Sequence, residues 1–121
     1  MKIRLQEIEF GSRNLNKSKD FYNSILGLDA IIDKEGLKVF QSGIAGVDFN
    51  TSKHLPTKIS VTSFLTDNLP SIIERLNSNG IKFDGPKKSH LGMMTIEVKD
   101  PDGYLLRINQ PTDESPTWLK V

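Results

Sequence analysis

Arg107 is the residue of this chain whose surroundings most need a chemical explanation. It stands within Tyr104-Leu105-Leu106-Arg107-Ile108-Asn109, a mostly apolar stretch that comes after the turn Asp100-Pro101-Asp102-Gly103. A guanidinium stays charged and offers only donors. In a strand it must reach solvent, meet a carboxylate, or read an anionic or carbonyl-bearing ligand. Glu7 and Glu9 offer complementary chemistry on one face of an alternating segment near the N-terminus. Such a carboxylate becomes a general base if burial raises its pKa toward neutrality, whereas a neighbouring guanidinium keeps it ionised and weakly basic. His54 and His90 lie far apart with no i, i+4 partner, so they form no metal motif. Cysteine is absent, which removes disulfides, thiolate nucleophiles and Cys-based zinc sites and leaves His and carboxylates as ligands.

The elements that must position these groups belong to a chain of 121 residues, 36% hydrophobic and 26% charged, which suits one globular domain or two small halves with a common core. The net charge is +1 and the basic residues are scattered apart from Lys87-Lys88, so no stripe for nucleic acid or acidic membrane is present. No stretch reaches the roughly 18 apolar residues of a membrane span. The start, MKIRLQEIEF, alternates charge and apolarity, unlike a signal peptide. A soluble, cytoplasmic protein is the expectation.

Alternation predicts a strand over residues 3–12, with Ile3, Leu5, Glu7 and Glu9 on one face and Ile8 and Phe10 on the other. Asn14 is a cap for a helix whose apolar positions are Leu15, Phe21, Tyr22, Ile25 and Leu26, and Gly27 stops it. Strands are predicted over 29–33, 37–41 and 46–51. After a linker at 54–57, in which His54 reads as solvated surface, the plan repeats. A strand over 58–66 leads to a helix capped by Asp67 or Asn68, with Pro70 in its first turn and Leu69, Ile72, Ile73 and Leu76 as its stripe. Asn79-Gly80 ends it, and strands come next over 81–83, 93–98 and 104–109, the last two joined by the Asp-Pro-Asp-Gly turn. The caps Asn14 and Asn68 are 54 positions apart and the stops Gly27 and Gly80 are 53 apart. An α+β chain of two βαβββ modules accounts for this spacing, each sheet having one face covered by its own helix. Met93-Met94 reads as core, one side chain to each face. Trp118 is a large aromatic in a polar tail and calls for a surface to cover.

Ser18-Lys19-Asp20-Phe21-Tyr22-Asn23-Ser24-Ile25-Leu26-Gly27-Leu28 resembles the S-x-x-FY-x-x-x-LGL signature of the vicinal oxygen chelate superfamily. Asp100-Pro101-Asp102-Gly103 resembles that superfamily's DPDGN turn before its final strand. The superfamily includes glyoxalases, extradiol dioxygenases and bleomycin resistance proteins. The resemblance covers nearly the whole chain. It implies one domain over 1–121, with module one at about 1–54, module two at about 58–112 and a tail at 113–121, curved sheets forming a cup, and a homodimer.

In the family's enzymes a divalent metal sits in the cup on His, Gln or Glu from the first and last strands of each module. The positions that match here are Glu7, Asp48 within Gly46-Val47-Asp48-Phe49-Asn50, Val61 with its neighbours Ser60 and Thr62, and Arg107. Valine supplies no ligand and the guanidinium repels a cation, so no metal or other cofactor is expected. The resemblance places Arg107 near Glu7 across the cup. It also places the loop of His90 at the rim. The expected function is metal-free binding of a small molecule by Glu7, Glu9, Asp48, Val61, His90 and Arg107. The alternative is a metal-dependent, glyoxalase-like lyase or dioxygenase.

Overall fold

The computed structural model describes residues 1–121. The chain is α+β and runs β1 (Ile3–Gly11), α1 (Leu15–Lys19), β2 (Ala30–Lys34), β3 (Leu37–Gln41), β4 (Asp48–Ser52), β5 (Ser60–Thr66), α2 (Leu69–Ser78), β6 (Phe83–Lys88), β7 (Met94–Lys99) and β8 (Leu105–Gln110). That order is βαβββ written twice. Two compact units result, one of Gln6–Thr62 and one of Met1–Leu5 with Ser63–Val121.

In the first unit the strands lie in the order β2-β3-β4-β1, with β1 and β4 parallel and the others antiparallel. Asn14 caps α1 by accepting a hydrogen bond from the Lys17 amide at 3.1 Å, as a short polar side chain at this position should. The helix continues as a π-helical turn, Asp20–Ile25, in which the Leu26 amide reaches back five residues to the Phe21 carbonyl. Gly27, at φ +82°, then ends it. The π turn corrects the expected apolar stripe. An extra residue in the turn rotates the side chains beyond it away from the sheet, so Phe21, Ile25 and Leu26 are exposed. Tyr22 still faces inward and packs on Phe40 and Phe49, with Phe10 edge-on to Phe49. This aromatic layer and Leu15 make up the helix side of the sheet.

In the second unit the order is β5-β8-β7-β6. Asn68 caps α2, accepting from the Ser71 amide, and Pro70 lies in the first turn. Leu69 and Ile72 of α2 pack on Ile96 and Val98 of β7 and Ile108 of β8, with Ile73, Leu76, Met94 and Leu106 around them. Gly103, at φ +88°, closes the β7–β8 turn with its amide on the Asp100 carbonyl. A second cluster joins Leu65, Met93 and Leu119.

One expectation is corrected here. The strand after α2 begins at Phe83, not residue 81, and runs through Gly85-Pro86 to Lys88. A register shift between Asp84 and Lys87 takes the donor-less proline out of the ladder. Lys87-Lys88 consequently belongs to this strand. Trp118 is 68% exposed, and its neighbour Leu119 is buried.

Candidate functional site

In β1 and β4 the parallel register sets Glu7 opposite Asp48, Glu9 opposite Asn50 and Gly11 opposite Ser52. Across β4 the same row meets Gln41, Val39 and Leu37 of β3. Alternation turns the intervening Ile8, Phe10, Phe49 and Thr51 to the other side, where Phe10 and Phe49 meet the aromatic layer and Thr51 bonds Ser18 of α1. One face of this small sheet is therefore aromatic and covered by its helix. The other carries a row of oxygen-rich side chains.

That row is buried. Glu7 and Glu9 are each 8% exposed and Asn50 is 5% exposed. Buried carboxylates are tolerated when they accept hydrogen bonds. The Asn50 amide Nδ2 donates to Glu7 Oε2 at 2.9 Å, and the Ser52 hydroxyl donates to Glu9 Oε2. Ser52 Oγ in turn accepts from the His54 amide at 3.3 Å. The other end of the Asn50 amide, Oδ1, is buried with no hydrogen-bond partner. An acceptor stranded in this way costs about 1–3 kcal/mol, and in native proteins such groups are rare enough to need a reason. Asp48, two residues along the same face, is exposed. It borders a cavity of about 370 Å³ at the β3–β4 loop, together with Gln41, Ser42, Ile44 and Val47.

Arg107 lies half-buried in β8. Its neighbours Leu106 and Ile108 face α2, so alternation turns Arg107 to the sheet's other face. Directly opposite on β7 is Glu97. Glu97 Oε1 lies 3.2 Å from Lys87 Nζ, which also meets Asp84 at 2.9 Å. The hydrogen bond to Asp84, and then that to Glu97, raises the lysine's pKa, and Lys87 lowers that of Asp84. Charges of alternating sign thus run across the face that carries Arg107. Glu97 was not singled out from the sequence, although it shares Arg107's face once β7 and β8 are paired.

Two further expected site residues are Val61 and His90. Val61 is fully buried in β5 and has no donor atom to offer. His90 is exposed in a single 3₁₀ turn, His90–Gly92, with Nδ1 3.1 Å from the Ser89 hydroxyl. It does not line the 530 Å³ cavity nearby, which is formed by Lys88, Ser89, Gly92, Met94, Thr112 and Glu114, among others. His54 is exposed. No group of three or more His, Cys, Asp or Glu side chains is gathered within metal-binding reach. Oxygen ligand atoms on one face are those of Glu7, Glu9, Asp48 and the Asn50 carboxamide. Asn50 and Ser52 were missed in the sequence. Their signal was a polar residue at every second place of Asp48-Phe49-Asn50-Thr51-Ser52, beside the two glutamates.

The Glyoxalase/Bleomycin resistance protein/Dioxygenase superfamily model matches residues 4–108. The chain belongs to that superfamily. A superfamily member from Vibrio splendidus 12B01 is similar at 19% identity, with 91% of this chain and 100% of that chain covered and a TM-score of 0.68. A variant of homoprotocatechuate 2,3-dioxygenase from Brevibacterium fuscum is similar at 19% identity, covering 90% of this chain and 32% of that one, with a TM-score of 0.69. The Mn(II)-bound glyoxalase from Novosphingobium aromaticivorans is similar at 15% identity, covering 88% and 38%, with a TM-score of 0.66. At these identities the likeness is one of fold.

Proposed function

We propose that this superfamily member binds a small molecule without a resident metal, and that it does so on the Glu7–Asn50–Asp48 face of module one. The carrying observation is the Asn50 carboxamide, whose oxygen is buried without a partner next to two buried carboxylates. An apolar core has no use for such a group, whereas a ligand-reading face does.

The donor set supports the metal-free half of the proposal. Glu7 and Asp48 are two carboxylates in register, but the corresponding places in module two hold Val61 and Arg107. Valine has no ligand atom and a guanidinium offers only donors, so neither residue supplies a metal ligand. Glu7 already accepts from Asn50. Glu9 accepts from Ser52, and no three His, Asp or Glu side chains gather there as a ligand set.

Metal content tests this directly. Protein soaked in Mn, Fe, Co, Ni or Zn and then dialysed is expected to keep only sub-stoichiometric amounts of each. One equivalent of a single metal per chain, lost in Glu7→Gln, would replace this proposal with a metal-dependent lyase or dioxygenase.

A further inference from the structure

The geometry of Asn50 points to a ligand class: we propose that the molecule taken by this face presents a hydrogen-bond donor, an amine or hydroxyl, to Asn50 Oδ1. The inference rests on the binding role assigned to that face above and adds the sense of the hydrogen bond. Glu7 is an acceptor when ionised, so the end of the Asn50 amide that touches it must be the NH₂ end. That contact fixes the amide's orientation and leaves its oxygen as the available atom. Ser52 cannot turn its own hydrogen to a ligand, because that hydrogen is on Glu9 and its lone pair receives the His54 amide. Asn50 Nδ2 and the Ser52 hydroxyl thus already donate within the protein.

What the row leaves unsatisfied is a buried acceptor, Asn50 Oδ1. Val39, opposite Asn50 on β3, brings only hydrocarbon to that part of the face. Asp48, next along β4, adds a further acceptor where the face meets the 370 Å³ cavity. A carboxylate or ether oxygen placed at Asn50 Oδ1 would set acceptor against acceptor in a buried place. An N–H or O–H there would satisfy the stranded oxygen. The cost of leaving that oxygen unsatisfied corresponds to about a ten- to hundredfold difference in affinity between otherwise matched molecules.

A titration of the ¹⁵N-labelled full chain monitored by NMR tests the assignment. The probes are benzylamine and benzyl alcohol as donors, with benzyl methyl ether and benzoate as acceptors of similar size. The expected result is saturable movement of the Asn50 side-chain amide signals with the two donors, and binding at least tenfold weaker for the ether and benzoate. Equal or tighter binding of the ether or benzoate at the same signals would overturn the donor assignment while leaving a binding face in place. If no probe moves the signals of Glu7, Glu9 or Asn50, the binding role of the face fails and the inference fails with it. All arms use the unaltered protein, so folding of a variant does not enter.

Discussion

Burying a carboxylate is possible when the neighbouring strand supplies a donor, and Glu7 and Glu9 each obtain one from the same face of β4. Asp33 solves a different problem. It is exposed and is held by both Lys19 of α1 and Lys38 of β3, whose hydrogen bonds lower its pKa from 3.8 to about 2. A carboxyl with a lowered folded pKa favours folding above its ordinary pKa and loses that contribution as pH falls toward the folded value. Stability should therefore decline in the pH window between about 4 and about 2. Asp33→Asn is expected to flatten this part of the profile and leave the neutral-to-alkaline part parallel. Denaturant midpoints measured across that range provide the check, and an unchanged slope would mean the two lysines do not act on Asp33 in solution.

At the scale of elements, the two helices bind their sheets differently although each starts from an asparagine cap. The helix α2 lays Leu69 and Ile72 into a closed aliphatic cluster. The first helix widens into a π turn and sends Ile25 outward, 71% exposed. Truncating a buried isoleucine removes its transfer energy and leaves a cavity, whereas truncating an exposed one removes little. Ile72→Ala should cost roughly 2–4 kcal/mol in urea unfolding. Ile25→Ala should stay within about 0.5 kcal/mol of the parent. Similar losses at both positions would place Ile25 against a partner surface and call for a measurement of oligomeric state.

For the molecule as a whole, the C-terminal segment is a structural member. Leu119 is buried against Leu65 and Met93. Arg4, near the other end of the chain, donates to the Lys120 carbonyl from Nε at 3.0 Å and from its terminal nitrogen at 2.6 Å. The Thr112 hydroxyl donates to the Gly92 carbonyl at 2.6 Å and so ties the path to the tail. Leu119→Ala should cost about 2 kcal/mol or more, because Leu65 and Met93 lose their cover. Trp118→Ala should be close to neutral in the same thermal or chemical melt. A reversed order of the two effects would show that the tail docks through the indole.

Features set by local bonding were legible in the sequence. Asn14 and Asn68 cap helices, Gly27 and Gly80 end them at positive φ, and the Asp-Pro-Asp-Gly turn closes β7 onto β8. Each needs only a few neighbouring residues, and two such sets at one spacing were enough for the βαβββ repeat, while the family entered through the resemblance of residues 18–28 and 100–103 to its signatures. The polar face was half legible: alternation put Glu7 and Glu9 together, and Asp48 entered through the family resemblance. Only the register of β1 against β4 decided that Asn50 donates to Glu7 and that its other end is stranded. Pairing likewise decided that β6 accommodates Gly85-Pro86 by shifting register, and that Arg107 lies opposite Glu97. Packing chose Leu119 over Trp118 as the inward residue. Caps and turns are written in contiguous residues. Register and burial depend on segments tens of positions apart, and no local pattern specifies them.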